Sequence, residues 1–229
     1  MTVKLLSWLF ELFQVVFQVS SFGVPINDYL INTPSGETCH LTPISSETAF
    51  APLHCGYAEW RVGTQLYGAD GRFVGTISQL GDRLPITQDA VKIDLASGLI
   101  SSGERISVVS EPNPEGVFCI RGSDSNECGQ LLSEAYLRSS LLVALYPERV
   151  FLKSSYTLLD VRSNFGDSGS PIVDSYGSVA GMLIGGDGLG RTFFIPVPIL
   201  CDSFGIECSG NDVNGFASSL GQTLSSGRI

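Results

Sequence analysis

Between residue 22 and about residue 208 the chain is cut into short apolar or alternating runs, and long amphipathic helical stretches are scarce. The runs lie at 72–79, 89–95, 105–110, 140–146, 149–153, 178–184 and 191–197. Turn signals separate them: Ala69-Asp70-Gly71, Ser102-Gly103, Glu111-Pro112-Asn113-Pro114 and Ser175-Tyr176-Gly177. The 26 glycines and 11 prolines are spread along the chain, as many strands joined by tight turns require. Strands at this spacing predict a sandwich or barrel, with one short helix expected over 128–138. At 229 residues the chain has room for one or two compact units, and the Pro112/Pro114 stretch is the best internal boundary.

The two ends differ from this middle. Residues 1–21 carry Lys4 and then a run rich in Leu, Trp, Phe and Val, interrupted by Ser7, Glu11, Gln14 and Gln18. The run is too short and too broken for a stable membrane span. It reads as a secretory signal with small residues Ser20 and Ser21 at its end, the alternative being an amphipathic helix on the domain or on a membrane surface. Residues 209–229 are rich in Gly, Ser and Asn and are expected to form a flexible tail.

Charge and cysteine usage exclude several function classes. The formal net charge of −10 argues against nucleic acid or an anionic membrane as partner, because phosphates attract fields of Lys and Arg. With two histidines and no C-x-x-C pair, a metal site is not expected, and nothing in the sequence calls for a cofactor. The six cysteines fall into three local pairs, which suits disulfides in an oxidising compartment; free buried thiols are the alternative. Loop length alone suggests Cys119–Cys128 and Cys201–Cys208.

The strongest chemical signal is Asn164-Phe165-Gly166-Asp167-Ser168-Gly169-Ser170-Pro171. A serine hydroxyl attacks a carbonyl effectively only where hydrogen-bond donors receive the developing oxyanion. Glycine before the serine permits a backbone that turns main-chain N–H groups inward, so the Gly166 and Ser168 N–H groups are the expected oxyanion hole. Gly169 removes a side chain beside the attacked carbon. The G-x-S-x-G elbow of lipases is absent, since Ser170 rather than glycine lies two places after Ser168.

This motif, followed by Ile172-Val173, the Tyr176-Gly177 turn, Val179 to Gly186 and Phe193 to Val197, resembles the chymotrypsin-like serine protease family in its compact microbial or viral form. Ser170 stands where that family commonly has glycine. The resemblance implies an all-β fold of two six-stranded antiparallel Greek-key barrels, with the active site in the cleft between them. The first barrel would span 22–112 and carry His54 and Asp89; the second would span 113–208 and carry Ser168.

Ala51-Pro52-Leu53-His54-Cys55 is similar to the family's general-base segment, where the cysteine after the histidine is often bridged sixteen residues upstream, here to Cys39. Asp89-Ala90-Val91-Lys92-Ile93-Asp94-Leu95 is similar to the strand that carries the family's acid, which makes Asp89 the orienting carboxylate and Asp94 a strand residue. The His, Asp, Ser order is the family's order. His40, beside Cys39, is expected to be a surface or structural residue.

The resemblance further implies a polypeptide substrate paired along Ile184-Gly185-Gly186, although Ile184 stands where the family commonly has serine. Arg162, six residues before Ser168, falls at the base of the family's specificity pocket, where a buried guanidinium would favour acidic side chains. The alternative is that it points to solvent, because the cysteines that frame this pocket in the digestive enzymes are missing near 164 and 186 and loop lengths differ. Leu183, Thr192 and Phe194 are the other candidates for its lining. No Ile-Val-Gly-Gly start occurs and no Lys or Arg lies between Lys4 and Arg61, so Asp167 needs a partner other than a new chain terminus. The expected protein is a secreted, monomeric serine endopeptidase competent without such a cut. Its rivals are a viral polyprotein-processing protease working in a reducing compartment and a catalytically silent binding module.

Overall fold

Thirteen short strands organise the described part of the chain. The computed structural model describes residues 30–56, 59–81, 89–100, 106–122, 127–132, 156–159, 161–186 and 190–208. The apolar stretch 1–21, the runs 140–146 and 149–153 and the tail 209–229 lie outside them.

The first half contains β1 (Leu30–Asn32), β2 (Thr38–His40), β3 (Thr42–Pro43), β4 (Thr48–Ala51), β5 (Gln65–Tyr67), β6 (Phe73–Leu80) and β7 (Val91–Leu95). Five of them form an antiparallel sheet in the order β3-β4-β7-β6-β5, while β1 and β2 pair as a hairpin. Only Leu41 separates β2 from β3, so the two act as one bent strand. A bridge from Ile31 to Gly68, just past β5, ties β1 to the other edge. The hairpin thus curls the sheet into a six-stranded barrel and covers both of its edges.

Alternation explains most of this half. In β7 Val91 and Ile93 are buried, whereas Lys92 and Asp94 face out. Strand β6 breaks the rule, since Val74 and Ile77 are both fully buried. Val74 is the extra residue opposite β5, and Ser78 is the extra residue opposite β7. These bulges reset the alternation and sharpen the twist that a small barrel needs.

The second half is a closed antiparallel barrel in the order β10-β13-β12-β11-β8-β9. Its strands are β8 (Val117–Ile120), β9 (Cys128–Leu132), β10 (Tyr156–Leu159), β11 (Pro171–Asp174), β12 (Val179–Gly186) and β13 (Arg191–Pro196). One helix follows, α1 (Val197–Phe204), opened by a proline in its first turn and closed by Gly205 at φ 63°.

Two expectations are corrected here. The helix expected over 128–138 begins instead as strand β9, because Cys128 lies directly opposite Cys119 in the β8–β9 pairing and is disulfide-bonded to it. The remainder of that segment lies outside the described residues. Of the run at 105–110, the described residues 106–110 contribute a single parallel bridge, Val108 to Val179, rather than a strand.

Each barrel has its own core, around Trp60, Leu41 and Ile77 in the first and around Phe118, Ile120 and Phe194 in the second. A third apolar cluster joins them. It sets Phe50 and Ala90 of the first half against Met182, Ile184, Ile195 and the buried face of α1. The Phe50 and Phe204 rings stand 5.5 Å apart within it. Burying a phenylalanine is worth about 1.5–3 kcal/mol, so this cluster holds the two barrels, and the loops between them, in one arrangement.

Candidate functional site

The cleft between the barrels is built from three loops. The first follows β4, where Pro52 ends the strand and Leu53–Gly56 form a single 3-10 turn. Trp60 packs against the Gly56 α-carbon so closely that no side chain fits there. The Cys39–Cys55 disulfide joins this turn to β2. A loop of this length contributes roughly 3 kcal/mol by restricting the unfolded chain.

Asp89 lies two residues before β7, and it is 1% exposed. Its Oδ1 accepts the His54 backbone N–H at 2.8 Å, and its Oδ2 lies 2.5 Å from His54 Nδ1. Both carboxylate oxygens are therefore engaged by one residue, which fixes the direction of the imidazole. Asp94 lies on the outer face of β7 instead, where Lys92 Nζ and Ser78 Oγ both donate to it at 2.9 Å. The hydrogen bond from the Lys92 ammonium holds the Asp94 carboxyl below its ordinary value.

The third loop, between β10 and β11, carries Ser168. The Asp167 N–H donates to the Asn164 carbonyl at 3.1 Å, closing a turn with Gly166 in third place at φ 98°. That sign of φ is what a type II turn requires and what glycine supplies without strain. The turn closes a second time through Asp167 Oδ2, which accepts the Asn164 N–H at 2.7 Å. Among the described residues, the N–H groups of Gly166 and Ser168 donate to no protein acceptor.

Contacts across the cleft bring these loops into register. The His40 N–H donates to the Ser168 carbonyl at 2.7 Å, and Thr42 Oγ1 donates to the Gly169 carbonyl at 2.8 Å. Gly169 sits so near His40 and Pro52 that a side chain there would run into the His40 carbonyl. The outcome is a distance of 3.1 Å between His54 Nε2 and Ser168 Oγ. Chemically, the arrangement offers a hydroxyl, an imidazole to take its proton, a carboxylate to orient that imidazole, and two main-chain donors beside the hydroxyl.

The expected specificity residues fare differently. Arg162 is exposed, and it is its backbone N–H that meets Glu127 Oε2, at 2.7 Å. The buried guanidinium is therefore not found. The preceding Val161 is fully buried, while the Arg162 side chain faces solvent. Leu183 and Ile184 are buried in apolar clusters and Phe194 in the second core, so none of them lines an open pocket. Thr192 is also buried, its hydroxyl donating to the Val161 carbonyl at 2.9 Å. Gly185 and Gly186 are half-buried at the end of β12, with Ser163 Oγ against the Gly186 α-carbon.

His40 is buried rather than a surface residue. Ser163, the fully exposed Phe165, and Thr38 beside Gly166 border the site as well. Nothing in the local sequence distinguishes Ser163 or Thr38. Phe165 stood inside the quoted motif, and its solvent-facing side chain follows from its place at the corner of the turn.

No protein-family model and no curated protein sequence matches this chain. Solved structures do. Cellulomonas bogoriensis chymotrypsin is similar over 81% of this chain and 98% of its own, with a TM-score of 0.59 and 20% identity. Thermobifida fusca protease A is similar over 79% and 95%, with a TM-score of 0.57 and 18% identity. A glutamic-acid-specific serine protease that uses a histidine triad in substrate binding is similar over 78% and 97%, with a TM-score of 0.57 and 16% identity. The chain has the chymotrypsin-like serine protease fold.

Proposed function

We propose that the protein is a serine endopeptidase in which Ser168 is the nucleophile, His54 the general base and Asp89 the carboxylate that orients it. The observation carrying this reading is the chain of two short contacts, 3.1 Å from Ser168 Oγ to His54 Nε2 and 2.5 Å from His54 Nδ1 to Asp89 Oδ2. As Ser168 Oγ attacks the peptide carbonyl, its proton passes to His54 Nε2, and the imidazolium is stabilised by Asp89. The oxyanion is received by the Gly166 and Ser168 N–H groups. His54 then gives the proton to the leaving amine, and water, deprotonated by the same imidazole, releases the acyl group.

The substrate backbone lies along Gly185-Gly186, where missing side chains allow close approach. The three disulfides, Cys39–Cys55, Cys119–Cys128 and Cys201–Cys208, support work in an oxidising, extracytoplasmic setting over a reducing one. The same loop geometry supports an enzyme competent without a new chain terminus.

The test is labelling with a fluorophosphonate probe. Wild type is expected to be labelled at Ser168, with Ser168→Ala unlabelled and His54→Ala slowed by at least about a thousandfold. A folded wild-type chain that fails to react, or reacts equally fast without His54, would favour the silent binding module.

A further inference from the structure

Behind the nucleophile loop lies a buried polar pair that the proposed reaction does not itself use. Asp167 is 4% exposed and Ser170 is fully buried. One Asp167 oxygen, Oδ2, accepts from Asn164, and among the described residues Asp167 joins no ion pair. The Ser170 hydroxyl, equally enclosed, has no hydrogen-bond partner among the described residues. The two groups face one small space. A first side-chain carbon on Gly122 would lie 2.9 Å from Asp167 Oδ1 and 3.3 Å from Ser170 Oγ. A carboxylate accepts and a hydroxyl donates, so Asp167 Oδ1 can take the bond that the Ser170 hydroxyl lacks, and buried polar groups are rarely left unmatched.

We propose that Ser170 is a positioning residue: its O–H donates to Asp167 Oδ1, directly or through one buried water, and so secures the turn that presents Gly166 and Ser168. This rests on the peptidase reading above. Ser170 is well placed for the role because its backbone is already fixed on both sides. Its N–H donates to the Asp167 carbonyl at 2.9 Å, and its carbonyl accepts from Leu183 on β12 at 3.0 Å. Asp167 in turn holds Asn164, and with it the turn containing Gly166. Small rotations of that turn move an oxyanion donor, where errors of an ångström are costly. The contact would give the Asp167 carboxylate a neutral donor from the position where the family commonly has glycine.

The experiment uses the full chain with Ser170→Ala, Asp167→Asn and the double variant. Acylation by the fluorophosphonate is measured per folded molecule, and KM is measured on a peptide. Ser170→Ala is expected to slow acylation about tenfold with KM within about twofold. The double variant should be no slower than Asp167→Asn alone, the signature of a shared contact. A loss of melting temperature with an unchanged acylation rate per folded molecule would overturn the proposal, as would additive losses.

A high-resolution crystal structure of the wild type separates the two forms of the contact. The expected result is Ser170 Oγ, or one ordered water bonded to it, within about 3.2 Å of Asp167 Oδ1. A Ser170 hydroxyl bonded elsewhere would overturn it. That arm decides the proposal even if Ser168 proves unreactive, so its failure and that of the peptidase reading are distinguishable.

Discussion

The backbone N–H of His40 donates to the carbonyl oxygen of Ser168 at 2.7 Å, and the residue before His40 is disulfide-bonded to the residue after His54. A continuous path of one hydrogen bond and one covalent bridge therefore links the two side chains whose separation matters most. Both ends belong to different barrels, so the path is also a clamp across the cleft.

The clamp makes the two glycines around Ser168 unequal. Both have positive φ, 98° at Gly166 and 87° at Gly169, so alanine at either costs about 1–2 kcal/mol in backbone strain. Beyond that, a side chain on Gly166 meets nothing nearer than Thr38 Oγ1 at 3.8 Å, whereas one on Gly169 collides with the His40 carbonyl. Gly166→Ala is expected to fold with a modest loss measured by urea unfolding. Gly169→Ala is expected to lose more than about 3 kcal/mol or fail to fold. Equal losses would show that contact across the cleft is not what requires Gly169.

Removal of the Cys39–Cys55 bridge should affect more than stability. The Cys39→Ala, Cys55→Ala chain is expected to lose about 2–4 kcal/mol in denaturant unfolding. Acylation per folded molecule should fall too, because the His54 turn loses its tie to β2. Removing Cys119 and Cys128 together should cost stability without that loss, since the pair lies across β8 and β9 of the second barrel.

Asp94 gives a pH dependence whose sign is fixed. Its carboxyl is held below the ordinary value of 3.8 by the hydrogen bond from Lys92. The stabilisation is therefore full above the unfolded-state value and disappears as pH falls through the lower folded-state value. Asp94 is more than half exposed, so the effect is at most several tenths of a kcal/mol, about the size of a surface pair. Wild type should exceed Asp94→Asn slightly in unfolding free energy at pH 6 and match it near pH 2. A gap that widens in acid would contradict the pairing.

Local order along the chain announces the β architecture and the Gly-Asp-Ser-Gly turn, and the family resemblance of short segments singles out His54 and Asp89. Glycines, prolines and alternating apolar residues act on their own neighbours, and that information survives in one dimension. The alternation in β7 faces Asp94 outward, while it is the family resemblance of the segment that singles out Asp89 before the strand. Strand β9 is not legible in the sequence because Cys128 to Leu132 has no strong period, and its pairing with β8 decides its conformation.

The lining of the cleft needed three dimensions. That Arg162 meets solvent while its neighbour Val161 is fully buried is a matter of how the second barrel packs. The main-chain N–H of His40 reaches across to the Ser168 loop, a contact between residues 128 positions apart that no local pattern encodes. Side-chain periodicity reports which face of a strand is buried; which backbone atoms meet across a cleft follows only from packing one barrel on another.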